Sequence, residues 1–264
     1  MQNKKLNLAN QIWEIVYPVL MYYAAISIGT FIAQMFFGTG NESYMLCKII
    51  GSLVAIPVVW ADYKRDRMLS GEYGLKTPMT SESWINILFV SGITICLSVS
   101  LNNIISMSPL VTASVEYQNA SDAFYGSSIG VELFGSALIT PFLEELLHRG
   151  VVLGRLRKRL GMGMWISILM SAFIFAGLHF NIVQFIYAFL LGVVFALFVE
   201  KSGHIYFAIL AHVLANGIAV VRTETGWLAI TVDGTVSAWL ISIGLLLVGL
   251  GVLIIYMGRK ITTR

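Results

Sequence analysis

Long apolar runs separated by short polar connections dominate the chain. An α-helix needs about 20 mostly apolar residues to cross the hydrocarbon of a bilayer. By that measure eight runs qualify: about Ile12–Phe37, Met45–Trp60, Trp84–Ile105, a run from Ile129 to Leu153 or beyond, Met164–His179, Ile182–Val199, Tyr206–Val221 and Val236–Met257. Gly and Ser recur inside these runs, as they do where membrane helices pack closely. The pattern predicts an all-α polytopic membrane protein, with about eight transmembrane helices in one bundle and one domain over residues 1–264. The stretch Ser106–Ser128, with Pro109 and many small polar residues, reads as a loop with a short interfacial helix.

Composition narrows the class. Hydrophobic residues make up 57% of the chain and charged ones 12%, and the mean hydropathy is +0.80. A soluble domain carries about 25% charged residues, so a water-facing surface cannot be built from this chain. The first run is too long for a signal-peptide core and reads as a retained span. Cys47 and Cys96 form no CxxC or zinc-finger spacing, which argues against a disulfide framework or structural zinc. The net charge of +3 implies no nucleic-acid partner.

The placement of the cations is more telling. With the N-terminus inside, the inside connections hold Lys4, Lys5, Lys64-Arg65-Asp66-Arg67, Lys76, the Arg155–Arg159 cluster, Lys201, Arg259, Lys260 and Arg264. The outside connections hold Lys48 and Arg222 alone. This is the asymmetry of the positive-inside rule, and it places both termini in the cytoplasm. The Arg155–Arg159 cluster reads as a topology determinant lying against the anionic leaflet. A compact chain of this kind suits a bacterial cell membrane.

Ionisable groups in hydrocarbon are costly and mark functional sites by default. Three groups stand out, all in the second half of the chain. Glu144-Glu145-Leu-Leu-His148-Arg149 lies on the fourth run. Glu145 and Arg149 are four apart and can pair on one helix face, leaving Glu144 for chemistry. Phe175 and His179 share a face at the end of the fifth run, and His212 and Asn216 share a stripe on the seventh. Each group alone has a structural alternative: an ion-pair network, a helix-end histidine, an interhelical clasp worth about 1 kcal/mol. His148 reads as the wet end of its helix and His204 as solvated. Glu132 and Asn102/Asn103 suit an interface. Counting about 1.5 Å per residue puts Glu144 and His179 some 20 and 22 Å from the inside face, but His212 only about 12 Å.

Taken together, Glu-Glu-x-x-x-Arg, Phe-x-x-x-His and His-x-x-x-Asn on three membrane helices resemble the CPBP family. That family comprises type II CAAX prenyl endopeptidases and bacteriocin-processing or immunity proteins, also called the Abi family. The matching residues are Glu144, Glu145 and Arg149; Phe175 and His179; His212 and Asn216, within about residues 129–221. The resemblance implies an intramembrane endopeptidase in which Glu144 and His179 activate water while His212 and Asn216 bind the oxyanion. Elementary chemistry agrees: hydrolysis needs a base and donors aimed at the developing negative charge. The implied substrate is a membrane-embedded or lipidated peptide or protein. A divalent metal such as zinc, on Glu144, His179 and His212, stays open beside a metal-free glutamate mechanism, although HExxH is absent. Two other readings remain: a non-catalytic immunity or scaffold protein of the same fold, and a small transporter with buried carboxylates as a proton relay. Neither a repeat between the halves nor any polar cluster in the first half supports the transporter.

Overall fold

The computed structural model describes residues 7–71 and 81–260. Lys4, Lys5, Lys76 and Arg264, assigned above to inside connections, lie outside the described residues. The described chain is all-helical. Its elements are α1 (Leu8–Phe37), α2 (Asn41–Leu69), α3 (Ser81–Ser106), the short α4 (Pro109–Ala113) and α5 (Val115–Phe124), α6 (Ile129–Arg159), α7 (Met164–Gly177), α8 (Ile182–Ser202), α9 (Ile205–Thr225) and α10 (Val236–Gly258).

Six of these, α1, α2, α3, α8, α9 and α10, are each long and apolar enough to cross a membrane. Helices α5 and α6 pass the same test only jointly, bent by 108° at their junction. Helix α7 is apolar but has 14 residues. At about 1.5 Å per residue it is some 21 Å long, short of a bilayer core about 30 Å thick. The six full helices and the bent α5–α6 pair give up to seven candidate spans among the described residues, roughly the expected eight, and the fifth predicted run is the half-length α7. The Ser106–Ser128 stretch contains two short helices where one was expected.

Large side chains such as Phe31, Phe36, Leu88, Trp165, Phe173, Leu247 and Ile254 point outward. Exposed apolar surface on this scale suits lipid and not water. Inside, the side chains form two apolar clusters. One joins α1 and α2 to one face of α6 through Ile15, Tyr22, Ala55, Leu143, Leu147 and Val151. The other joins α3, α8, α9 and α10 through Val90, Ile93, Phe195, Phe198, Phe207 and Tyr256. Helix α6 lies on the seam between them, touching α1, α2, α7, α8 and α9. Close approach within the first cluster relies on glycine: a Cβ on Gly29 would sit 2.8 Å from the Cα of Gly51.

Helix α6 is unusual along its length. It includes π-helical turns at Leu133–Ile139, Leu146–Val152 and Arg155–Arg159. Such turns are rare and frequent at functional sites. A π turn holds more residues than an α turn and climbs less per residue. Glu144 therefore lies less deep than α-helical counting gives, which narrows the apparent mismatch with His212.

The two ends of the bundle differ. At the basic end Arg155 is fully buried. Its Nε bonds Asp66 Oδ2 at 2.5 Å, its Nη2 bonds Asp62 Oδ1 at 3.2 Å, and its Nη1 donates to the Glu14 carbonyl at 2.8 Å. Arg159 reaches Glu14 Oε2 at 2.7 Å and Arg157 reaches Glu200 Oε1 at 2.9 Å. The Arg155–Arg159 cluster is therefore not a simple headgroup-facing strip. Three carboxylates and a carbonyl draw Arg155 inward, since a buried guanidinium must be paired. At the far end Arg222, expected in an outside connection, is also buried. It bonds Asn103 Oδ1 at 2.6 Å and Asn102 Oδ1 at 3.3 Å, and Asn103 donates to Ser242 at 3.0 Å. Asn103 and Glu132 are thus interior groups and not interfacial ones.

Removing Arg155 takes the one fully buried cation from Asp62 and Asp66 and leaves them only the partly exposed Arg65 and Arg159. Arg155→Met is expected to destabilise the protein by about 3–5 kcal/mol. Arg159→Met, at a partly exposed pair, should cost about 1 kcal/mol or less. Thermal unfolding of both variants in one detergent checks the difference.

Candidate active site

The three motif helices meet around one cavity of about 450 Å³, whose walls include Glu144, His179, His212 and Asn216. Tyr22 and Tyr23 of α1 form the opposite wall, so the cavity lies on the seam between the two apolar clusters.

Adjacent glutamates on α6 have different surroundings. Glu145 is fully buried. Its Oε1 lies 3.1 Å from Arg149 Nη1 and accepts from His212 Nδ1 at 2.8 Å. Arg149 is held in turn: Nη2 donates to the Gly192 carbonyl at 3.0 Å, and the guanidinium lies 4.6 Å from the Phe175 ring and 5.6 Å from Phe195. Glu144 instead faces the cavity, with Oε2 3.7 Å from His212 Nε2. One imidazole thus bridges the two carboxylates. Because Nδ1 is committed to Glu145, Nε2 is the nitrogen that His212 offers to the cavity. The expected pairing of Glu145 with Arg149 is present, and it extends to a third partner on α9 that spacing along α6 could not reveal.

Asn216, one turn from His212, donates from Nδ2 to the Ser136 carbonyl at 2.9 Å. Ser136 lies in the first π turn of α6, and the bond ties α9 to that turn. His179 lies just past the end of α7, its Nδ1 3.2 Å from the Phe175 carbonyl. The segment around it is fastened on both sides. Tyr23 donates to the Leu178 carbonyl at 3.1 Å, and Asn181, the N-cap of α8, donates to the His179 carbonyl at 3.1 Å. Phe180 adopts φ 56°, a conformation uncommon outside glycine, and turns the chain from α7 into α8.

Phe175 has a larger part than its motif suggests. Its ring is edge-on to His148, His179 and His212, with centroids 5.0, 5.2 and 5.6 Å away. His148, expected at a wet helix end, is buried. Its Nδ1 contacts the Glu144 carbonyl at 2.8 Å, and its Nε2 has no hydrogen-bond partner among the described residues. Lying four residues after Glu144, it could share that residue's face, and in the structure it sits within the π turn at Leu146–Val152, beside Phe175. His204 is half-buried and stacked on Tyr206, with ring centroids 5.0 Å apart. Further groups from outside the motifs line the cavity, among them Thr140, Gln184, Tyr187 and Lys48. Their types are ordinary in membrane helices, and no spacing in the sequence singles them out.

Glu144, His179 and His212, the side chains considered for a metal ion, all line the cavity. Among the described residues no three His, Cys, Asp or Glu side chains are grouped to hold one. The Nδ1 atoms of His212 and His179 are held by the Glu145 carboxylate and the Phe175 carbonyl, which leaves the Nε2 of each ring for the cavity. The arrangement offers a carboxylate at the cavity wall, imidazoles on two helices and an amide. These are the parts of proton transfer and anion stabilisation.

No curated protein and no solved structure matches the chain. Residues 127–218 match the model of the family described as type II CAAX prenyl endopeptidase, Rce1-like. All seven motif residues fall inside that match. Over the segment that builds the site, the chain is therefore similar to the type II CAAX prenyl endopeptidases, in accord with the CPBP resemblance carried by its three motifs.

Proposed function

We propose that the protein is an intramembrane endopeptidase that cleaves a peptide bond of a membrane-embedded or lipidated substrate. One observation carries the reading. Glu144 opens onto a cavity inside the bundle, 3.7 Å from an imidazole whose other nitrogen is held by a buried carboxylate, with His179 and Asn216 in the same walls. The family match over residues 127–218 supports the same reaction class.

In this mechanism Glu144, assisted by His179, takes a proton from water as the water oxygen adds to the scissile carbonyl carbon. With Nδ1–H already given to Glu145, His212 donates from Nε2 only as an imidazolium carrying both ring protons, and in that form it and Asn216 donate to the oxygen that becomes negative. The tetrahedral intermediate then collapses, the C–N bond breaks, and the proton held by Glu144 passes to the leaving amine. Glu145 and Arg149 position His212 and do not touch the substrate. The residues lie among apolar walls, where fixed donors act more strongly than in water. No step passes through a metal. The protein acts in this reading from a bacterial cell membrane with both termini cytoplasmic.

The same clasp from His212 to Glu145 and from Asn216 to Ser136 also suits a non-catalytic immunity or scaffold protein. The two readings separate on substitution. For an enzyme, Glu144→Gln retains the fold but loses cleavage by about 10²–10⁴-fold. Asn216→Ala lowers kcat by about 10²–10³-fold. The measurement is quantitative comparison of membrane-derived peptides from cells expressing wild type or variant. A phenotype unchanged in a folded Glu144→Gln protein decides for the scaffold.

A second outcome concerns the buried pair. Glu145→Gln leaves Arg149 unpaired and is expected to cost about 3–5 kcal/mol, whereas Glu145→Gln/Arg149→Met should recover much of that loss. Both variants leave His212 only a neutral acceptor at position 145 in place of the carboxylate, so the double variant regains thermal stability without regaining full activity. Unfolding midpoints and turnover, measured together, check the split.

A further inference from the structure

The cavity is one-sided, and charge tells which side it faces. Its lining runs from the middle of the bundle to the far ends of the helices: Tyr44 and Lys48 at the start of α2, Asn102 and Ser106 at the end of α3, and Gln184 at the start of α8. Tyr117, Ser121 and Tyr125, in or beside α5, line it at the far end. The floor is His148, His212 and Phe195. Below the floor the bundle is closed. Leu147, Val151, Leu156, Phe198 and Phe207 are fully buried, and beneath them lies the Arg155 cluster with Asp62, Asp66 and Glu14.

The closed end is also the basic end. Arg65, Arg67, Arg155, Arg157, Arg159, Lys201, Arg259 and Lys260 lie there, against Lys48 and Arg222 at the far end. Cations flanking membrane helices are retained on the cytoplasmic side, and acidic residues weigh little in that bias. Resting on the peptidase reading, we infer that the catalytic cavity opens to the extracytoplasmic side. Its substrate is then a membrane-anchored polypeptide whose scissile bond lies at the outer end of its span or just beyond it. A lipidated tail held at the cytoplasmic leaflet would meet the closed, ion-paired end, about a bilayer's half-thickness from Glu144. A cavity of about 450 Å³ suits a short stretch of extended chain and excludes a folded domain. Tyr22, Tyr23 and Tyr187 along its walls offer both apolar rings and hydroxyls to such a segment.

Two measurements test the inference. In a Cys47→Ala/Cys96→Ala background, Ser121→Cys should react with a membrane-impermeant maleimide in intact cells. Lys260→Cys should react only after permeabilisation. The reverse pattern overturns the orientation. Separately, new N-termini are mapped in membranes from cells expressing wild type or Glu144→Gln. Termini that depend on Glu144 are expected at or beyond the outer ends of substrate spans. Glu144-dependent termini on the cytoplasmic side overturn the sidedness and leave the peptidase intact. Absence of any Glu144-dependent terminus, in a folded protein, overturns the peptidase reading and this inference with it.

Discussion

Burying Glu145 and Arg149 together inside a membrane bundle imposes the constraint that the rest of the site obeys. Each charge alone would be expensive in that setting, and together they need accurate geometry and further hydrogen bonds. The structure meets part of that need by recruiting from three other helices, while Glu145 Oε2 and Arg149 Nε have no hydrogen-bond partner among the described residues. His212 on α9 donates to Glu145, the Gly192 carbonyl on α8 accepts from Arg149, and Phe175 on α7 presents its ring to the guanidinium. A side chain at position 192 has little room, since a Cβ there would lie 3.0 Å from Arg149 Nη2. One ion pair thus fixes how α6, α7, α8 and α9 approach one another.

That fixing separates two neighbouring glutamates. Glu145 is consumed by structure, and Glu144 is kept for the cavity. Adjacent residues of a helix point about 100° apart, and both glutamates lie in the α-helical stretch Thr140–Glu145, with a π turn on either side. These turns leave backbone carbonyls in altered directions. Side chains from other helices then take some of them: Asn216 bonds the Ser136 carbonyl and Ser171 bonds the His148 carbonyl at 2.9 Å. In hydrocarbon such groups must be satisfied within the protein. The irregular helix and its polar partners therefore form one unit.

The seam between two apolar clusters gives this unit its place. Packing on the α1–α2 side and on the α3–α8–α9–α10 side is dense and fully buried at the basic end. Toward the far end the two clusters part, and six tyrosines line the gap beside aliphatic residues such as Leu178 and Leu191. A cavity there costs less than one inside either cluster, because its walls carry hydroxyls, amides and carboxylates that water can reach.

Much was legible without coordinates. Apolar run length and the scarcity of charge required a helical membrane protein, because no other solvent or backbone arrangement satisfies such a chain. Expensive polar residues in three spaced groups marked Glu144, Glu145, Arg149, Phe175, His179, His212 and Asn216, since hydrocarbon makes an idle charge improbable. The i, i+4 spacing anticipated Glu145 with Arg149, a contact within one helix. Only tertiary structure decided contacts between helices: His212 bridging both glutamates, Arg155 drawn inward among three carboxylates, and His148 turned to the cavity. The physical reason is that local sequence sets which groups share a helix face, while the π turns and helix crossings set which faces meet.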